Sequence, residues 1–332
     1  MRKGGIDMAN KIYTTLRQQL KILRSKNMNI SINGQGAKVK KILERENYYS
    51  VINGYKDPFI QTSSNNETFI SNTQFENLYT LFTFDRNVRL IYLKFILKIE
   101  HQIKSVIAHE FSKKYGHDNY LKLGNFDILD NQNCNKKDNN KIKKVLTTIG
   151  KLETSLSNQM NKNKEITHYM STYGYVPLWV LVNILTLGEI SYFYSNMKPG
   201  DKNNVARVFN VNPEEFSKYI KNLTLSRNLC AHDERFYDFK YRESLSTSYI
   251  SNFSLFSIPS KNGNYLYGTN DAFSIAVIFS QLLPKKDIQI FIKSMDKEFK
   301  TLDKNLDSSI FNKIKIKMGF GNSWKKLRDI CR

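Results

Sequence analysis

FENLYTLFTFDRNVRLIYLKFILKIEHQIKSVIAHEFSKKYG, residues 75–116, decides the fold. Between residues 72 and 114 the chain holds neither proline nor glycine. Apolar side chains recur there with helical period: Phe75, Leu78, Phe82, then Leu93, Ile96, Ile99, Ile103, Val106 and Ile107. Ser71 and Thr73 are candidate caps, with Glu76 in the first turn. At ~1.5 Å per residue an unbroken helix would be ~60 Å long, so a break or kink near residues 84–87 is expected.

Outward from this helix the pattern stays helical. Upstream, Ile12, Leu16, Leu20 and Leu23 mark an amphipathic helix over residues 8–26, and Val39, Ile42 and Leu43 a second over 37–46. The turn signal Asn53-Gly54 and a polar loop over 61–68 follow. Downstream, DNQNCNKKDNNK at 130–141 reads as a polar surface loop, with helices after it to about 161 and to Tyr173. PLWVLVNILTLGEISYFYSNM, from Pro177, is apolar nearly all round and is expected to be the buried centre, with Trp179 in the core. A short helix is expected over 205–209, and Pro213 behind an Asn212 cap opens the next. Residues 249–269 are near-alternating around Ser-Lys-Asn-Gly-Asn, which predicts a hairpin or an irregular hairpin-like excursion, and helices close the chain over 271–283, 285–303 and 307–318. The expected architecture is all-α: an N-terminal helical region (1–70), a helical bundle (71–242) and a mostly helical C-terminal extension (243–332).

Charge points to a class of partner. The 332 residues carry 51 Lys+Arg against 30 Asp+Glu, a net charge of +21, which attracts polyanions at long range. Nucleic acid is the leading partner class and an anionic membrane surface the second. Cys134, Cys230 and Cys331 are widely spaced and form no CxxC pair, which suggests neither a disulfide framework nor a zinc site. The N-terminus lacks a signal-peptide core and no apolar run is long enough to span a bilayer, so a cytoplasmic protein without a membrane partner is expected.

One stretch concentrates chemistry. LSRNLCAHDERFYDF, residues 225–239, sets Arg227 and His232 five positions apart, with Asp233, Glu234 and Arg235 beside the histidine. Of the 5 histidines, only His232 has an arginine four to six residues upstream. RNA carries its own nucleophile, the 2′-hydroxyl, so its cleavage needs a base near neutral pH and a cation for the phosphorane. Histidine suits proton transfer in either direction, and arginine grips phosphate through two donors at once. Five helical residues turn by about 140° and rise ~7.5 Å, so one copy closes poorly around a phosphate. Two copies facing each other would supply two of each residue, which makes a homodimer part of the expectation. On chemistry alone the plainer reading is preferred: His232 a helix-surface histidine pairing with Asp233 or Glu234, and Arg227 a solvated charge.

The surroundings sharpen this. ENYYSVINGY (46–55), the opening block (75–116), VPLWVLVNILTLGEISYFY (176–194), LSRNLCAHDERFYD (225–238) and MGFGNSW (318–324) resemble, in order, the Abi-like (AbiD/AbiF) abortive-infection proteins of the HEPN superfamily. The resemblance implies a HEPN-type bundle whose RxxxxH motif is a metal-independent ribonuclease signature, needing no cofactor. It implies catalytic roles for Arg227 and His232, an orienting role for Asn228, and an auxiliary basic position at Arg235. It also implies a toxin-like antiphage effector that leaves a 2′,3′-cyclic phosphate and that a structured non-coding RNA can restrain. Asp233 departs from the pattern, since many relatives carry His or Asn there.

Further candidates are Glu100, which either pairs with a motif arginine inside the bundle or lies on a solvated face, and Lys143, Lys144, Lys325 and Lys326 for the RNA backbone. Trp324 either stacks on a base or plugs the C-terminal helices onto the bundle, the second being preferred. The competing function is a non-catalytic RNA-binding or sensing module that keeps the motif for dimer packing. A membrane-surface toxin is the third.

Overall fold

A computed structural model describes residues 13–31, 34–61, 67–128 and 136–331. Its helices are α1 (Leu16–Ser25), α2 (Gln35–Glu46), α3 (Phe75–Tyr115), α4 (Lys136–Gln159), α5 (Lys164–Tyr173), α6 (Leu178–Leu181), α7 (Leu187–Asn196), α8 (Pro199–Val208), α9 (Pro213–Ala231), α10 (Ala272–Leu282), α11 (Lys285–Asn305) and α12 (Ser308–Lys317). The strands are two short antiparallel pairs, β1 (Ile60–Gln61) with β2 (Thr68–Phe69) and β3 (Ser260–Lys261) with β4 (Asn264–Tyr265). The class is all-α, as expected.

Two compact units divide the chain. The first is Met1–Arg86 with Phe299–Lys313, and the second Asn87–Glu298 with Ile314–Arg332. The boundary drawn at residue 70 falls within the first unit and that at 242 within the second.

In the first unit α1 and α2 bury Leu20, Leu23, Val39, Ile42 and Leu43 against each other. Thr15 and Gln18 form a capping box that starts α1. The Tyr55 hydroxyl donates to the buried carboxylate of Asp85 at 2.7 Å. Residues 8–12, expected at the start of the first helix, and 62–66 of the expected loop lie outside the described residues.

The long helix is real, and it has no break at 84–87: α3 keeps helical hydrogen bonding through all 41 residues. Nothing in the local sequence stops it, because the whole stretch lacks a helix breaker.

The expected buried centre is overturned. The segment after Pro177 splits into α6 and α7, because Thr186 and Glu189 form a capping box that starts a new helix. Trp179, expected in the core, is 51% exposed. In one turn of helix Leu178, Val180 and Leu181 take the buried positions, which leaves the indole on the outside. The fully buried helix is α10, where every residue from Ala272 to Leu282 is inside.

Other boundaries move less. α8 starts at Pro199, six residues before the expected short helix, with proline in the first turn where its missing N–H costs nothing. α4 begins at Lys136, so 136–141 is helix where a loop was expected, and 130–135 lies outside the described residues. The hairpin is confined to residues 260–265, with short 3-10 turns at Thr247–Tyr249 and Phe253–Phe256 before it; Asn262 and Gly263 both have positive φ, 51° and 77°, which suits the primed turn joining two-residue strands. Trp324 is buried edge-on to Phe320, with ring centroids 5.4 Å apart, so it plugs the bundle.

The end of α12 is held by a left-handed glycine stop. Gly319 takes φ 86°, and the Phe320 N–H reaches back to the Lys315 carbonyl at 2.9 Å. A Cβ on Gly319 would collide with the buried Asp271 carboxylate. That carboxylate accepts from Gly268 N at 2.7 Å and pairs with Lys240 at 3.1 Å. Burial pushes its pKa up, against the opposing pull of Lys240 and the Gly268 and Ser274 amides. Gly319→Ala should therefore destabilise the fold by more than about 2 kcal/mol, the sum of left-handed strain and collision, measured by denaturant titration.

Candidate functional site

The motif sits at the C-terminal end of α9. Asn212 caps the other end, its side chain accepting from the Glu214 and Glu215 amides at 2.9 and 3.4 Å, with Pro213 in the first turn. Phe216, Ile220, Leu223, Leu229 and Cys230 face inward. Two polar residues join them: Asn222 donates to the Glu243 carbonyl at 2.9 Å, and Ser226 meets the Tyr241 hydroxyl at 2.7 Å. Burial pushes the Tyr241 phenol well up, so it stays neutral. With these residues anchored inside, Asn228 is carried on the exposed face and Arg227 is half-buried.

Both motif residues were expected on a helix. Arg227 is, but the helix ends at Ala231 and His232 is its cap, with φ −98° and ψ 13°. Asp233 then turns left-handed, φ 56°, and the Glu234 N–H reaches back to the Leu229 carbonyl at 3.0 Å. This is a Schellman-type stop, in which a short polar side chain takes the place usually held by glycine. Asp233 also forms an ion pair with Arg89 of α3, whose side chain is only 2% exposed. Beyond the stop, Phe236 and Tyr237 enter the core, and Phe236 meets Tyr92 edge-on at 4.7 Å.

The other expected site residues separate into two groups. Near the motif, Arg235 pairs with Asp238 at 2.9 Å, which Lys317 also approaches at 3.5 Å. Elsewhere, Glu100 does not pair with Arg227: Lys104, one turn along α3, takes its Oε1 at 2.7 Å. Its Oε2 is buried without a hydrogen-bond partner among the described residues. Lys143 and Lys144 are exposed on α4, which packs on α7, and α7 packs on α9. Lys326 is exposed too, whereas Lys325 is paired with Asp296 at 2.5 Å.

Arg227 and His232 are different. Among the described residues neither side chain has a hydrogen-bond or ion-pair partner, and the Arg227 Nε is buried and unsatisfied. His232 is exposed. Neither residue lines either of two surface cavities, one of about 650 Å³ between α3 and the α6 region and one of about 370 Å³ between α7 and α9. The second reaches Leu225, two residues before Arg227. Among the described residues no group of three or more His, Cys, Asp or Glu side chains is placed to hold a metal ion. No described helix is long and apolar enough to cross a membrane.

Sequence reasoning missed Arg89, although a signal was present. Asp85 and Arg89 fall on the same helical stripe as Val88, Tyr92, Ile96 and Ile99, so two charges lie at core spacing.

A family model described as Abi-like protein matches residues 41–238, which is more than half of the chain and includes α3, α9 and the motif. The MGFGNSW block lies beyond that match. No curated protein and no solved structure matches.

Two substitutions at Asp233 separate its two tasks. Asp233→Asn keeps a residue that tolerates the left-handed turn but loses the charge, and should cost about 1 kcal/mol. Asp233→Val loses both, and should cost about 2–4 kcal/mol. Denaturant titration of both variants checks the order.

Proposed function

This chain belongs to the Abi-like protein family, and from that premise we propose that it is a metal-independent endoribonuclease acting as a toxin-like effector. Family membership points to abortive-infection defence. The observation that carries the finer reading is the pair of unengaged side chains at the end of α9. Structural charges in this region find partners, as Arg89, Arg235 and Lys240 do. Arg227 and His232 find none among the described residues. A buried donor left unsatisfied costs stability, and a phosphate oxygen would satisfy the Arg227 Nε.

In the proposed reaction, His232 takes the proton of the RNA 2′-hydroxyl. The 2′-oxygen forms a bond to phosphorus while the bond from phosphorus to the 5′-oxygen breaks, and His232 of a second copy protonates the leaving oxygen. Arg227 holds the negative charge gathering on the phosphate, and Asn228 orients it. A second copy completes the proposed site, since neither side chain lines either of the two cavities described above. Leu225 and Tyr192, 43% and 55% exposed beside the smaller cavity, offer apolar surface for that copy to cover. A structured non-coding RNA that restrains the enzyme would act by occupying this same surface.

The same exposure favours one rival: a module that binds RNA without cutting it and uses the motif to pack two copies. The purified chain, incubated with RNA in excess EDTA, decides between them. Cleavage is expected, and His232→Ala and Arg227→Ala should each lower its rate by about 10²-fold or more, with dimers retained by light scattering. A requirement for added divalent metal, or full activity in His232→Ala, contradicts the ribonuclease. Loss of dimers in both variants favours the packing role.

A further inference from the structure

A second surface of the second unit includes neither Arg227 nor His232. α5, the segment after it, α6 and the residues just past the end of α3 bring six aromatic rings into one connected series. His168 lies 5.7 Å from Tyr169 and 6.0 Å from Tyr173, and Tyr169 lies 5.7 Å from Tyr173 (ring centroids). Tyr173 continues to Tyr175 at 6.3 Å, Tyr175 to His117 at 4.8 Å, and His117 to Trp179 at 6.3 Å. None of these pairs is a parallel stack. None of the six rings is buried, and Tyr173 and Trp179 are each about half exposed. Folding gives no reason for this, since burying such rings is among the larger stabilising contributions open to a chain.

At Trp179 the series opens into the cavity of about 650 Å³. Its floor is the last turns of α3, which contribute His101, Lys104, His109, Ser112 and Lys113. Lys113 is exposed with no ion pair among the described residues. The Ser112 hydroxyl is buried with no hydrogen-bond partner among them. The carboxylates nearby are Glu100, held by Lys104 at 2.7 Å, Glu110, 3.9 Å from His109, and Asp118, 4.0 Å from His117. The local charge is thus mixed, and attraction of an anion falls mainly to Lys113 and to the net +21 of the chain.

We propose that this aromatic series and the cavity it enters form a track for single-stranded RNA, separate from the Arg227–His232 pair. Exposed rings accept unpaired bases of any identity, and a neighbouring cation takes the phosphates. Bases paired in a duplex keep their faces covered, so the track selects for single strands. A protein segment is the less favoured occupant because the chain's charge excess calls for a polyanion. The inference does not depend on cleavage at the motif.

The test uses the full chain carrying His232→Ala, so that the strand stays whole under the ribonuclease reading, and a fluorescent oligouridylate followed by anisotropy. Adding Trp179→Ala and Tyr173→Ala should weaken binding at least tenfold, while Trp179→Phe with Tyr173→Phe should stay within about threefold. Binding to a duplex of equal length should be weaker than to the single strand and unmoved by either pair. The track is overturned if the chain does not bind the oligouridylate, if the alanine pair binds within twofold of its parent, or if the phenylalanine pair or the duplex loses as much as the alanine pair. A chain that never cleaves RNA but shows the expected pattern keeps the track and loses the ribonuclease. One that cleaves but lacks the pattern does the reverse.

Discussion

The ion pair between Arg89 and Asp233 is the constraint on which the candidate site depends. A guanidinium that is 2% exposed has given up most of its water, and the carboxylate beside it, itself 57% exposed, offsets part of that cost. The partner is the residue that adopts the left-handed turn and stops α9. One side chain therefore ends the motif helix and ties its end to the longest helix of the protein. Asp233 thereby has a structural role: the aspartate works on the fold.

The consequence reaches the chemistry. Because α9 stops at Ala231, the 140° expected between Arg227 and His232 from helical geometry no longer sets their directions. The histidine stands at the end of the helix, exposed, on a segment that Phe236 and Tyr237 immediately pull back into the core. Behind it, Asn222 and Ser226 lock the opposite face of α9 to residues 241–243. Two anchored strips of polar and apolar contact thus leave Arg227, Asn228 and His232 as the part of this region not used to hold the fold. Such a division of labour is what a pre-set site requires.

Much of this was legible in the amino-acid sequence, and the rest has identifiable causes. Period and absence of breakers gave α3, the Asn212-Pro213 pair gave the start of α9, and Asn262-Gly263 gave the hairpin. The apolar run after Pro177 misled because overall hydrophobicity outweighed the Thr186–Glu189 capping signal inside it, and Trp179 was misplaced with it. The pairing of Glu100 with a motif arginine failed because Lys104 is one turn away on the same helix and always within reach. The role of Asp233 could not be read, because it needs a partner 144 positions earlier in the chain. The aromatic series was hidden for the same reason: His117 joins rings from a segment some fifty residues away.

What distinguishes a 2′-hydroxyl mechanism from every hydrolytic alternative is the ends it leaves. RNA cut by the purified chain should therefore be characterised by mass spectrometry of its termini. The account predicts 2′,3′-cyclic phosphate and 5′-hydroxyl ends, absent when the RNA is incubated with the His232→Ala chain. Fragments ending in 3′-hydroxyl and 5′-phosphate, or cyclic ends produced equally by His232→Ala, would contradict it.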